Sequence, residues 1–201
     1  MDKDNTVSTR DTILRVAAKL FSESGYDKVT TREIAKATGI NAASIYYHFP
    51  SKAAILTGLY DLYSEERIGA NPDLDELLEM AETSPPFEVL MKTEFHFRQE
   101  IRELLDQILV VASRRICDDA ESERFIRENI FDNITNILGP LLLRMQELKK
   151  IELFDVDTFL RVLSFYCYSA ATLNNSVFRH DADMYRHCMS FLFSMIRPTG
   201  G

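Results

Sequence analysis

Residues 30–56, TTREIAKATGINAASIYYHFPSKAAIL, constrain the fold more than any other stretch of this chain. They read as a short helix, a turn centred on Gly39 and a second short helix, with almost no residues between them. The spacing predicts that Thr31 caps the first helix, which buries Ile34, Ala35 and Thr38, and that Gly39 ends it in a left-handed conformation. Asn41 is expected to cap the second helix, Ala42 to Phe49, which turns Ile45 and Phe49 inward. That leaves Ala42, Ala43, Ser44, Tyr46, Tyr47 and His48 facing outward. So many aromatic and small polar groups on an outward face are not explained by packing.

No Asn-Gly or Asp-Gly turn is flanked by alternating hydrophobics, and helix punctuation recurs along the chain, so an all-α fold is expected. A first helix fits residues 9–24, capped by Ser8 or Thr9, apolar at Ile13, Leu14, Ala17, Leu20 and Phe21, and stopped by Gly25. A connecting helix fits 51–69 through Ile55, Leu56, Leu59 and Leu62. A short helix at 73–82 lies between Asn71-Pro72 and Ser84-Pro85-Pro86. Residues 87–99 and 101–117 follow as two helices or one bent helix, and 119–147 as another, kinked at Gly139-Pro140. Residues 149–155 read as a loop, and the last two helices fall at about 157–178 and 181–196. The expected domains are 1–50, a three-helix helix-turn-helix unit, and 51–201, a helical body, with 51–69 as connector.

The final helix is apolar on two sides. Phe191, Leu192 and Met195 continue one stripe from Met184 and Cys188, while Phe193 and Ile196 continue an adjoining one from Tyr185 and Met189. One chain can hardly cover both, so a homodimer joined by the two C-terminal helices around a two-fold axis is expected.

Net charge helps only once it is divided. The chain carries −8 overall, which by itself argues against a nucleic-acid partner. Residues 1–58, however, hold 8 basic and 6 acidic side chains, a net +2, while the remainder holds 15 against 25, a net −10. A mildly basic head on an acidic body would dock on phosphate by the head alone. No apolar run is long enough to span a bilayer, and the polar opening lacks the features of a signal peptide, so a cytoplasmic protein without membrane contact is expected. Cys117, Cys167 and Cys188 stand apart among apolar neighbours and read as small hydrophobes.

A major-groove reader needs an exposed helix together with groups that hold phosphates. Ala42, Ala43 and Ser44 allow close approach, and the Ser44 hydroxyl suits a base edge or a phosphate. Tyr46, Tyr47 and His48 can donate to phosphate oxygens, Lys52 adds a point charge, and Thr31 offers a hydroxyl and a backbone N–H. Arg32 has the reach for a guanine edge.

Gly25-Tyr26, Thr30-Thr31, Ile34-Ala35, Gly39-Ile40, Ser44-Ile45-Tyr46-Tyr47-His48-Phe49 and Ser51-Lys52 together resemble the N-terminal signature of the TetR family of bacterial transcriptional regulators. Ala43 departs from the Gly or Pro common there. The resemblance implies phosphate contacts from Thr31, Tyr46, His48 and Lys52, and base or groove contacts from Arg32, Ala42, Ser44 and Tyr47. It also implies a repressor, released from a palindromic double-stranded operator when a small hydrophobic or aromatic effector enters the body. Candidate effector contacts are Phe95, His96, Leu105, Gln107, Leu109, Phe125, Asn129, Asn133, Phe165 and Tyr166. No Gly-rich phosphate loop, His-Glu-x-x-His or paired-Cys motif is present, so no enzyme, cofactor or metal is expected. A helical ligand carrier or adaptor without sequence-specific DNA binding is the alternative.

Overall fold

A computed structural model describes residues 8–93, 99–173, 190–191 and 193–199. The fold is all-α, ten α-helices being assigned among the described residues. Two compact units emerge from the packing: residues 1–66 with 98–123, and 67–97 with 124–201. Residues 99–115 pack with the head because the helix Gln99–Arg115 lies against the helix Thr9–Ser24.

In the first unit α1 is Thr9–Ser24, capped by the Ser8 hydroxyl, and it buries Ile13, Leu14, Ala17, Ala18 and Phe21. A 3-10 turn, Tyr26–Lys28, follows and leads into α2, Thr31–Thr38, and α3, Ala42–His48. Helix α4 is Lys52–Ala70, and α7 is Gln99–Arg115. Helix α4 buries Tyr60 and Tyr63, whereas Leu62, expected inside, is half-buried. Gly58 lets α4 lie close: a Cβ there would come within 3.0 Å of the Phe49 ring and 3.3 Å of Leu14.

The second unit holds α5, Leu74–Thr83, α6, Pro86–Met91, α9, Asn133–Glu147, and α10, Val156–Leu173. Helix α8, Ala120–Ile126, runs across the unit boundary into a π-helical segment, Arg127–Asp132. Helix α9 packs against both α5 and α10. Helix α9 continues through Gly139-Pro140, where a kink was expected, and the π segment lies upstream of it. Pro140 and Asn136, whose carbonyl Pro140 leaves without an amide donor, both lie on the exposed side, where water can serve instead.

Loop 149–155 is fastened to the chain end by an antiparallel bridge, Ile151 to Pro198, in which Glu152 N–H donates to the Arg197 carbonyl at 2.8 Å. Lys150 Nζ donates to the carbonyls of Glu82 and Ser84 at 2.8 and 3.0 Å, satisfying acceptors that the end of α5 leaves open.

Candidate nucleic-acid interface

Local chemistry sets each turn of the helix-turn-helix segment. Thr30, rather than Thr31, caps α2: Thr30 Oγ1 accepts the Glu33 N–H at 3.2 Å while Glu33 Oε2 accepts the Thr30 N–H at 2.7 Å. This capping box was legible as Thr30-x-x-Glu33, and it outcompetes a one-residue shift because two orphan donors are met together. The Thr30 N–H and, after it, its hydroxyl hold the Glu33 carboxyl below its ordinary range. Gly39 ends α2 at φ 74, in the left-handed region as expected. Thr38 is half-buried, its hydroxyl donating to the carbonyls of Ile34 and Ala35 at 2.7 and 3.0 Å.

Asn41 caps α3, accepting the Ser44 N–H at 2.8 Å. Ile45 and Phe49 are buried and anchor the helix from below. Above them Tyr47 is 86% and Tyr46 is 53% exposed, while Ala43 is exposed and Ala42, Ser44 and His48 are half-buried. Thr31 Oγ1 and the Tyr46 hydroxyl lie 3.2 Å apart, which ties the start of α2 to the face of α3. Tyr47 and His48 meet edge to face at 5.1 Å. Arg32 is exposed on α2.

Lys52 occupies a different place from the free point charge expected of it. Its ammonium donates to the carbonyls of Tyr26 and Val29 at 3.0 and 3.1 Å and sits 4.2 Å from the centre of the Tyr26 ring. A second cation near that ring is Arg115, 4.1 Å from its centre and paired with Asp27 at 3.6 Å and Asp119 at 3.5 Å. Burial pushes the Tyr26 hydroxyl up in pKa, and the nearby Arg115 charge partly offsets this. Tyr60 bonds the Ser122 hydroxyl at 2.8 Å, and burial pushes its own pKa up to about 12. The α7–α8 corner thus holds the 3-10 turn and α4 together. Nothing in the local pattern around Lys52 signals this arrangement, because its partners lie 23 and 26 residues away.

The candidate effector residues are not gathered in the same way. Phe95 and His96 fall outside the described residues. Leu105 and Leu109 are buried on α7 in the first unit, where Gln107 bonds Glu103 at 3.3 Å. Phe125, Asn129 and Asn133 are buried, Tyr166 is half-buried, and Phe165 is 65% exposed, which removes it from an interior lining. Asn129 Oδ1 accepts from Arg67 Nε at 2.8 Å, and Asn133 Oδ1 accepts from Arg67 and from Asn71 Nδ2, the latter at 3.1 Å. Among the described residues no group of three His, Cys, Asp or Glu side chains is placed to hold a metal ion. No helix among them is long and apolar enough to cross a membrane.

The fold and this face define an all-α helix-turn-helix protein. Residues 13–59 match the profile of the family described as bacterial regulatory proteins, tetR family. The chain is 40% identical over 67 residues to the HTH-type transcriptional regulator AcrR of Shigella flexneri, covering 33% of this chain and 31% of that protein. It is 52% identical over 46 residues to IcaR of Staphylococcus aureus strain Newman, the negative transcriptional regulator of the biofilm operon icaADBC, covering 23% and 25% respectively. These alignments thus span less than a third of the curated relatives' length. Over nearly the whole chain the fold is similar to the TetR family regulator PfmR of Thermus thermophilus, with a TM-score of 0.68, 24% identity and coverage of 90% and 97%. It is also similar to a protein from Saccharomonospora viridis solved in complex with choline, with a TM-score of 0.63, 18% identity and coverage of 92% and 95%. Residues 13–59 thus match the TetR family, and the chain as a whole resembles TetR family regulators in fold.

Proposed function

We propose that the protein is a homodimeric, ligand-responsive transcriptional regulator, a repressor that binds a palindromic operator and is released by a small hydrophobic or aromatic effector. The observation that carries the DNA-binding reading is the face of α3: a helix anchored by Ile45 and Phe49 presents Ala43, Ser44, Tyr46 and Tyr47 outward, in the segment that matches the family. Thr31 and Tyr46 act as a bonded pair on one phosphate, His48 and Tyr47 serve neighbouring phosphate or groove positions, and Arg32 reaches a guanine edge. Lys52 keeps one N–H for phosphate while the other two position the 3-10 turn.

Dimerisation is supported by the two-sided chain end. Phe193 and Ile196 are buried while Phe191 and Met195 are 65% and 59% exposed, and α10 exposes Val162 and Phe165 one helical turn apart. A two-fold dimer would hold two reading helices about one DNA turn, roughly 34 Å, apart. The roles divide by sequence, with 1–50 reading DNA, 51–201 sensing and pairing, and α4 connecting them. An effector site in the body is supported by the polar cluster of Arg67, Asn71, Asn129 and Asn133 beside the π-helical segment, where Asn71 Oδ1 is buried with no partner among the described residues. Effector binding that moves α4 would change the spacing of the reading helices.

Selection of bound sequences from a random duplex pool, followed by gel shifts at increasing salt, tests the reading. The expected result is a two-fold-symmetric site whose affinity falls steeply with salt. Absence of any enriched sequence would favour a helical carrier or adaptor. Phe165→Glu should yield monomers in sedimentation equilibrium and lose operator binding, and an unchanged dimer would refute the proposed interface.

A further inference from the structure

We infer that Ser44 reads the major groove as a hydrogen-bond acceptor, and so selects an amino base, adenine or cytosine, on the strand it faces. The inference rests on the DNA-binding reading above and gives that site a chemical preference. Its basis is the cap of α3. Asn41 Oδ1 accepts the Ser44 N–H at 2.8 Å, and a backbone N–H can be met only by the oxygen end of the amide, so the orientation of Asn41 is fixed. The same Oδ1 lies 3.1 Å from Ser44 Oγ. An amide oxygen carries no hydrogen. The hydrogen of that contact therefore belongs to Ser44 and points back at Asn41.

A serine hydroxyl has one hydrogen and two lone pairs, so what remains for a partner outside the protein is acceptor capacity alone. In the major groove the donors are the adenine N6 and cytosine N4 amines, whereas guanine O6 and N7 and thymine O4 only accept. Turning the hydrogen outward would give up the Asn41 bond. The flanking Ala42 and Ala43 add no polar side chain, and the side-chain donor beside Ser44 is the Asn41 amide Nδ2, which is a separate group from the Ser44 hydroxyl. Guanine recognition is left to Arg32 on α2, and Ala43 offers only an apolar surface for a thymine methyl.

Every base pair contains one amino base, so a sequence preference alone does not settle the polarity; removal of single functional groups does. The position whose preference disappears in Ser44→Ala, after selection from a random pool with the full chain, marks the pair that Ser44 reads. At that pair the amino base is replaced by its analogue without the exocyclic amine, purine for adenine or 2-pyrimidinone for cytosine. In a separate duplex the purine is replaced by its 7-deaza form, which removes the N7 acceptor. Amine deletion is expected to weaken the native protein about tenfold and Ser44→Ala less than about twofold, while N7 deletion affects both alike. Asn41→Gly keeps a tolerated cap but frees the hydroxyl, so the amine penalty should shrink. If N7 deletion is instead the change whose effect vanishes in Ser44→Ala, or if Ser44→Ala keeps the native preference at every position, the inference is overturned. A pool with no enriched sequence would remove the DNA-binding function itself, and this inference with it.

Discussion

The reading segment and the second unit are held together over different distances along the chain. Between residues 8 and 54 the deciding bonds join side chain and backbone three positions apart: Ser8 to Asp11, Thr30 to Glu33, Asn41 to Ser44, Ser51 to Ala54. In the second unit they join Arg67 to Asn129, Arg144 to Glu82 and Lys150 to Ser84, across 62 to 66 positions. A locally written element can be specified by a few dozen residues and is recognisable as such, whereas a remotely written one leaves many sequences equivalent. The matches to relatives follow that line, with the family profile ending at residue 59 while the fold similarity covers 90% of the chain.

The sharpest way to break this contrast is to remove one buried anchor from each unit. Phe21 and Leu141 are both fully buried, the first in α1 and the second in α9. Phe21→Ala should cost about 3–5 kcal/mol and Leu141→Ala about 2–5 kcal/mol by denaturant unfolding. Well below either midpoint, operator affinity should fall with the first and hold with the second. Equal loss of affinity in both would show that the reading helices depend on the body as much as on their own caps.

The same contrast explains what was legible beforehand. Ser8, Gly25, Gly39 and Asn41 announce both ends of α1, the end of α2 and the start of α3 within a residue, because a cap acts on the backbone beside it. Thr30 and Glu33 carried the true start of α2 in the open, and only the choice between two adjacent threonines hid it. Lys52 misled, since a lysine after Phe-Pro-Ser reads as a surface charge until the fold brings Tyr26 and Val29 beneath it. The π segment at 127–132 has no composition of its own, and Phe165 has the periodicity of a core residue while pointing outward. Periodicity marks an apolar face but not what covers it.

Two lysines make the comparison finer, because each spans two carbonyls, Lys52 those of Tyr26 and Val29 and Lys150 those of Glu82 and Ser84. Lys52→Met and Lys150→Met should each cost about 1–3 kcal/mol of stability, the loss expected when hydrogen bonds to a charged group are removed. Only Lys52→Met should weaken operator binding. If Lys52 acts mainly by positioning the 3-10 turn, the slope of log affinity against log salt should change by much less than the roughly one unit that a lost phosphate contact produces. A full unit would make it a phosphate contact first.

Two helical glycines should respond with opposite signs. At Gly58 a methyl group would meet the buried Phe49 ring at 3.0 Å, whereas at Gly139 the nearest atom from another element, Leu160 Cδ1, is at an ordinary 3.5 Å. Overpacking costs about 1–3 kcal/mol, against about 1 kcal/mol gained in helix propensity, so Gly58→Ala should lose about 1 kcal/mol net. Gly139→Ala should gain at most about 0.5 kcal/mol, because the new Cβ also crowds the Pro140 ring that follows it. Thermal midpoints report both, and a stabilised Gly58→Ala would mean that α4 does not need its close approach to α1 and α3.

The smallest effect lies in acid, where two exposed carboxylates distinguish the units. Glu33 is held below its ordinary 4.5, first by the Thr30 N–H, and Asp155 below its ordinary 3.8, first by the Thr158 hydroxyl. A depressed folded value means that the unfolded chain binds the proton more readily, so each carboxylate stabilises its cap above its unfolded value and loses that contribution as pH falls through the folded one. Because the ordinary value of Glu33 is the higher, the cap of α2 should begin to weaken at a higher pH than that of α10. Glu33→Gln should remove the first part of the acid-induced fall in the thermal midpoint, and Asp155→Asn only the later part. Measured by circular dichroism at closely spaced pH values, identical acid profiles for the native protein and Glu33→Gln would show that the Thr30 hydroxyl, without the returning carboxylate, suffices to cap α2.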